Sequence, residues 1–289
     1  MCRYNPKIDL VFRKLFGSEE NKDILLSFIN SVLEGNIKLT DLTLKNPYNL
    51  ADYLKGKNSI LDIKATDKDG NWYDIEMQLN EQKFYGKRAI YYWSKVYSDQ
   101  IETAEDYEKL KKTIGIHLLD FDYFKDERYF RRATIKDFDT NEIYEKLNYM
   151  DMYFIEMKKF HKELGELKTA LDKWITFFNQ AYELEQENLP KELEEKELTK
   201  AVEKLEKMYF DKKEREIYEA ERKVRMDERA VLKTAEEIGM ERGMERGLEK
   251  GIEKGKLEMA KKLLIAGVDI NLIADSSGLS VEEIKKIKI

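Results

Sequence analysis

LDIKATDKDGNWYDIEMQ, residues 61–78, is the stretch whose reading decides the fold. Two short runs flank Asp67-Lys68-Asp69-Gly70, residue types that tolerate a tight turn, and together they predict an antiparallel hairpin. Asp62, Asp74 and Glu76 stand where a sheet usually carries Val or Thr. Two loop lengths fit the spacing. A two-residue loop at 69–70 pairs 62 with 77 and puts Asp62 and Glu76 on opposite faces. A three-residue loop, with Gly70 forming a bulge at positive φ, pairs 67 with 71 and 62 with 76. The β-carbons of Asp62 and Glu76 would then lie ~5 Å apart. Asp74 and Gln78 share that face by the two-residue period of a strand, and Lys64 lies opposite Asp74.

Opposed carboxylates repel in a plain sheet. A hard divalent cation removes that cost, because Mg²⁺ favours carboxylate oxygens and keeps several waters. A metal so placed can polarise a phosphoryl oxygen and lower the pKa of a bound water. Gln78 does not titrate, but its amide can orient a water or hydrogen-bond a phosphate oxygen. The competing reading is a solvated acidic face, common in a chain with 38% charged residues.

Working outward, residues 9–33 carry apolar side chains at helical spacing in two clusters. Gly17-Ser18 separates them, with Ser18 as N-cap of the second helix and Glu34-Gly35 as its end. Strands are expected near Leu39–Leu44, at Thr113–Phe121, at Tyr129–Thr134 and at Glu142–Leu147. FYGKRAIYYWSKVYSDQI, 84–101, reads as an aromatic-rich amphipathic helix. Helices between buried strands give an α/β domain over residues 1–165. A helical extension over 166–236 follows, and then a repeat segment with a C-terminal helical hairpin over 237–289.

The repeat, GMERGMERGLEKGIEKGK, places Gly at 239, 243, 247, 251 and 255 and an apolar stripe at Met240, Met244, Leu248 and Ile252. Each Gly costs ~1 kcal/mol against Ala in a helix, so the segment either packs on a partner helix or serves as a connector. A four-residue period exceeds 3.6 and favours right-handed winding. Ser280 and Glu283 form a capping box. The ADSSGLS turn suits a helix-turn-helix or a plain αα-hairpin.

The chain has 289 residues, a net charge of −6 and one cysteine, Cys2. The charge argues against coating nucleic acid by charge alone, though a local basic groove remains compatible. A single cysteine excludes an intrachain disulfide or thiolate metal site, and there is no His/Cys cluster for zinc. No apolar run approaches the ~20 residues of a membrane span and no signal-peptide core is present, so a soluble cytoplasmic protein is expected. No phosphate-binding GxxxxGK[ST] loop and no GxSxG elbow occur, which leaves no nucleotide cofactor and no serine-esterase chemistry.

Asp62, thirteen intervening residues and Glu76-Met77-Gln78 resemble the D…(D/E)xK core of the PD-(D/E)XK nuclease superfamily. The form with Gln in place of Lys resembles the Rpn family of recombination-promoting nucleases and transposases. NPKIDLVFRKLFGSEENKDILLSFINSVL, IEMQ followed by FYGKRAIYYWSKVYSDQ, and the Gly-rich tail are similar to segments of that family. The likeness covers about residues 5–125 and the tail. It implies an α/β, restriction-endonuclease-like mixed sheet flanked by helices, followed by a long helical C-terminal region. It also implies an Mg²⁺-dependent DNA endonuclease, with Mn²⁺ as a substitute, that uses metal-activated water and promotes recombination or mobile-element transposition.

Carried over by position, Asp62 and Glu76 hold the metal and Gln78 takes the lysine place, losing the positive charge that steadies an attacking hydroxide. Asp9 matches an acidic position near the first helix, as a ligand, a neighbour of one, or a helix cap. Arg88, Tyr92 and Lys95 share one helix face, suited either to DNA phosphates or to ordinary solvent exposure. Tyr85, Tyr91, Trp93 and Tyr97 read as core or interface, His117 as a satisfied core histidine and His161 as a solvated residue on a charged helix. The expected partners are DNA and a second copy of the chain through the helical tail. The alternative is a catalytically weak module of the same fold that binds DNA or oligomerises.

Overall fold

The hairpin closes with the three-residue loop. In this computed structural model, which describes residues 4–33, 38–48, 62–81 and 83–287, β2 (Asp62–Thr66) pairs antiparallel with β3 (Trp72–Gln78). Thr66 faces Trp72, Lys64 faces Asp74 and position 62 faces Glu76. Gly70 supplies the bulge at φ 86°. The Asp67 carboxylate pins the turn: Oδ1 accepts from the Asp69 and Asn71 amides, and Oδ2 from Asn71 Nδ2 and the Tyr73 hydroxyl, each at 2.9 Å.

Among the described residues six strands, numbered in chain order, form one mixed sheet in the order β1-β2-β3-β4-β6-β5. The first, β1 (Thr43–Leu44), is shorter than the strand expected over 39–44 and pairs with the turn end of β2, at Ala65 and Thr66. The helix expected over 84–101 is α3 (Tyr85–Ser98), numbered after α1 (Asp9–Phe16) and α2 (Lys22–Leu33). It joins β3 to β4 (Thr113–Leu119), a parallel neighbour, as a parallel pair requires a crossover. All seven residues of β4 are buried. At the far edge, β5 (Phe130–Thr134) pairs antiparallel with β6 (Met150–Glu156), which lies parallel to β4.

Several expectations are corrected. Glu142–Leu147 is loop and a short 3₁₀ turn, while the real strand is β6. Its charges disguise it, for Asp151 and Glu156 are buried within it. Lys112 Nζ at 2.5 Å and Arg132 Nε at 2.7 Å neutralise Asp151. Arg131 Nη2 at 3.0 Å and Lys159 Nζ at 2.8 Å neutralise Glu156, whose Oε1 also accepts from the Tyr123 and Phe124 amides. Ser18 makes no side-chain cap; a 3₁₀ turn, Glu19–Asn21, intervenes before α2. His161 is exposed but lies in irregular chain, not on a helix. The helix end expected at Glu34-Gly35 lies outside the described residues.

The two faces of the sheet bury different cores. On one, Tyr73, Ile75 and Met77 pack with α1, α2, α4 (Ala170–Gln180) and α5 (Lys196–Glu206). Phe16 and Phe28 meet Trp174 at ring distances of 5.7 and 6.0 Å. Residues past 165 therefore belong to the same core, and the first compact unit runs to Glu221. On the other face α3 covers a smaller cluster of Tyr85, Ala89, Leu119, Phe121, Met152 and Phe154.

The second unit, residues 222–289, contains most of α6 (Lys212–Ile265), with α7 (Ile270–Ser277) and α8 (Val281–Lys285). The glycine repeat is continuous α-helix. α6 ends in a Schellman motif: Gly267 takes φ 74°, its N–H bonds the Leu264 carbonyl, and the Val268 N–H bonds that of Leu263. Ala260, Ile273 and Ile284 form a small core, and Ser280 and Glu283 make the expected capping box. No described helix is long and apolar enough to cross a membrane.

Asp172 locks α4 to the sheet. It is fully buried and accepts from the Tyr129 hydroxyl at 2.7 Å, Lys162 Nζ at 2.8 Å and the Lys168 and Thr169 amides. Burial alone would raise its pKa, but Lys162 and these donors hold it below the ordinary value. A carboxyl lowered on folding stabilises the fold above its unfolded pKa and loses that contribution as pH falls through the folded one. Asp172→Asn should therefore cost about 2–4 kcal/mol at neutral pH in urea unfolding. Its deficit against the parent should shrink once the pH drops below the ordinary Asp value of 3.8.

Candidate functional site

Alternation along β3 sends Asp74, Glu76 and Gln78 to the face under α3, and all three are buried, at 1, 1 and 7% exposure. A central strand with three polar residues in a row on a covered face is unusual, because each must find compensation away from water. The register supplies the neighbours. Glu76 lies between position 62 on β2 and His117 on β4, and His117 is followed by Phe154 on β6. For position 62 only the backbone placement is described, and that placement puts it on the strand face shared with Glu76.

His117 is held on three sides. Its Nδ1 lies 3.0 Å from the Tyr85 hydroxyl and 3.5 Å from Glu76 Oε2. Phe154 stacks on the ring at 5.0 Å, and Tyr85 meets it edge-on. Gly115 makes the room: a Cβ there would stand 2.9 Å from His117 Nε2. Burial, then the charges of Glu76 and Asp74, push the Tyr85 phenol well above its ordinary pKa, while Arg88 opposes them. Tyr85 thus stays protonated and shares a hydrogen bond with Nδ1, whose direction follows the imidazole tautomer. His117 is therefore not the fully satisfied core residue that the sequence suggests; no described group pairs with Nε2. Its place beside Glu76 follows from the sheet register, and that of Tyr85 from the packing of α3 on the sheet; neither carries a local sequence signal.

Gln78 Nε2 donates to the Asn80 carbonyl at 3.2 Å, and its Oε1 has no hydrogen-bond partner among the described residues. A buried, open amide oxygen one pleat from Glu76 fits a hard cation or a water held by one. Glu76 adds a carboxylate of the same donor class. Among the described residues no group of three or more His, Cys, Asp or Glu could hold a metal; the Asp62 side chain is not among those described. Arg88 and Tyr92 are half-buried on α3, the guanidinium 5.2 Å from the Tyr92 ring, while Lys95 one turn on is exposed. Trp93 and Tyr97 stack on each other at 5.3 Å, Tyr91 faces solvent, and Tyr85 is core. Asp9 sits half-buried in the first turn of α1, where a carboxylate complements the helix N-terminus.

Residues 6–235 match the model of the PD-(D/E)XK nuclease family transposases. The chain belongs to that family. No curated protein and no solved structure matches it. Membership makes it a nuclease-type enzyme by family, and the mixed six-stranded sheet with flanking helices agrees with a PD-(D/E)XK α/β fold. The matched span ends before the glycine repeat at 239–255.

The Tyr85–His117 contact can be tested without any activity. Tyr85→Phe removes the hydroxyl partner of a fully buried imidazole nitrogen and should cost about 1–3 kcal/mol in urea unfolding. A variant as stable as the parent would show that the hydroxyl does not brace His117.

Proposed function

We propose that the buried face of β2 and β3 is the cleavage centre of a metal-dependent DNA endonuclease. The observation that carries this reading is the register that sets position 62 opposite Glu76 on a covered face. Asp62 and Glu76 would hold Mg²⁺, or Mn²⁺ in its place. When bound, such an ion would supply Lewis-acid polarisation of a phosphodiester and a more acidic water.

The chain's own groups have distinct parts. His117, braced by Tyr85, limits the positions open to the Glu76 carboxylate. Gln78 presents Oε1 as an acceptor that can orient water, yet offers neither a titrating base nor a positive charge. Arg88, with Tyr92, offers a cation near the carboxylates for a phosphate, and Lys95 adds charge on the exposed side of α3. Asp9 would act at the edge of this set or only on its helix. In this reading DNA is the substrate, the protein works in the cytoplasm, and cleavage promotes recombination or element movement. A homo-oligomer through the tail would bring two such centres to one duplex.

Gln78 in the lysine place favours one other reading, a weakly catalytic module of the same fold that retains DNA without metal. Supercoiled plasmid separates the two. The parent should nick it with Mg²⁺ and stop on chelation. Asp62→Ala and Glu76→Gln, both folded by circular dichroism, should each lose on the order of 100-fold or more in rate. Variants that nick as fast as the parent would end the assignment. Metal-independent DNA retention that vanishes on deleting 237–289, with no nicking, would favour the module.

A further inference from the structure

We infer that the glycine repeat of α6 pairs with the same segment of a second copy of this chain, in parallel orientation. The inference concerns the tail's part in the reading above and does not depend on what the buried carboxylates do. It also lies outside the family match, which stops at residue 235.

The repeat unit is Gly, apolar residue, Glu, Arg or Lys, four residues long from Gly239 to Lys254. Successive residues of an α-helix advance by about 100°, so each type forms its own stripe. With the helix running upward and seen from outside, the face reads from left to right as Arg/Lys, Gly, apolar, Glu. The apolar stripe is uncovered: Met240, Met244, Leu248 and Ile252 are 79, 78, 65 and 52% exposed. Nothing lies within 4 Å of a Cβ placed on Gly239, Gly243, Gly247, Gly251 or Gly255. Such a stripe on a helix otherwise rich in charge marks an interaction surface.

Charge selects the occupant and its direction. Glu241, Glu245, Glu249 and Glu253 follow one another at i, i+4, as do Arg242, Arg246, Lys250 and Lys254. Like charges at that spacing weaken an isolated helix, and Arg242, Arg246 and Lys250 offset this by each preceding a Glu by three residues; a second helix adds an opposite stripe across the seam. A two-fold axis parallel to the helices turns the left edge of one copy toward the right edge of the other. Arg/Lys then faces Glu along both flanks, and each apolar stripe lies over the partner's glycines. An antiparallel pair instead puts Glu against Glu and Arg/Lys against Arg/Lys. Rows at i±4n interlock at about −50°, and glycine lets two backbones approach closely there. The stripe turns by about 40° per repeat, so the two copies wind right-handed around each other.

The full-length chain tests this. Sedimentation at about 100 µM, where even a weak interface assembles, should give a dimer. Converting Glu241, Glu245, Glu249 and Glu253 to Lys should give a monomer. Converting Arg242, Arg246, Lys250 and Lys254 to Glu should do the same, and an equimolar mixture of the two variants should restore a dimer. Spin labels at Ala235→Cys, with Cys2→Ser, read direction in the unaltered repeat. Parallel copies hold the labels within about 20 Å, whereas antiparallel copies paired through residue 247 hold them about 36 Å apart. A monomeric parent, a mixture that stays monomeric, or the long distance would each overturn the inference. None of these readouts depends on plasmid nicking, so the cleavage reading can fail while this one stands, and the reverse.

Discussion

Asp67 holds four donors on one carboxylate, and the structure of the β2–β3 face depends on that grip. Side chains alternate along a strand, so a slip of one residue would exchange the two faces of β3. Tyr73, Ile75 and Met77 would leave the large core, and Asp74, Glu76 and Gln78 would enter it. Gly70 at positive φ and the Asp67 carboxylate permit the three-residue loop, and with it the register that sets position 62 against Glu76. Turn chemistry at the surface thus fixes what stands at the centre of the sheet.

The two cores answer different demands. The larger one is aromatic and aliphatic, with α1, α2, α4 and α5 on the Tyr73 face. The smaller one places apolar side chains around a polar row, and α3 closes it by laying Tyr85 against His117. Buried acids elsewhere in the unit are tied down by cations and amides. Glu156 has Arg131, Lys159 and two backbone N–H groups, Asp151 has Lys112 and Arg132, and Asp172 has Lys162. Those acids brace the sheet. Glu76 instead stands between a histidine and a second acidic position, with an open amide oxygen at Gln78.

The second unit runs on weaker physics. Its helix carries five glycines through exposed positions, and its core is a few residues from Ala260 to Ile284. A helix of this composition gains little from propensity, so the arrangement of its stripes outweighs their individual contributions. Period four in glycine, in apolar residues and in both signs of charge is a pattern of surfaces, and surfaces act on something outside the helix.

The sequence alone determined much of this protein. Local signals sufficed for the hairpin, the long amphipathic helix at 85–98, the buried strand at 113–119 and the capping box at Ser280, because turn residues and periodicity act within a few positions. The pairing of positions 62 and 76 was legible as one of two loop registers, and the structure takes the three-residue loop. Tertiary structure decided the rest. Met150–Glu156 became a central strand only because Lys112, Arg132, Arg131 and Lys159 arrive from elsewhere to neutralise its acids. His117 became a neighbour of Glu76 through a parallel pairing across a whole helix, and Gly115 became necessary only once that ring needed space. Residues after 165 joined the first core because Trp174, Phe177 and Phe178 found Phe12, Phe16 and Phe28. Such partners are distant in sequence, and burial rewards them only after the chain has closed the loops between them.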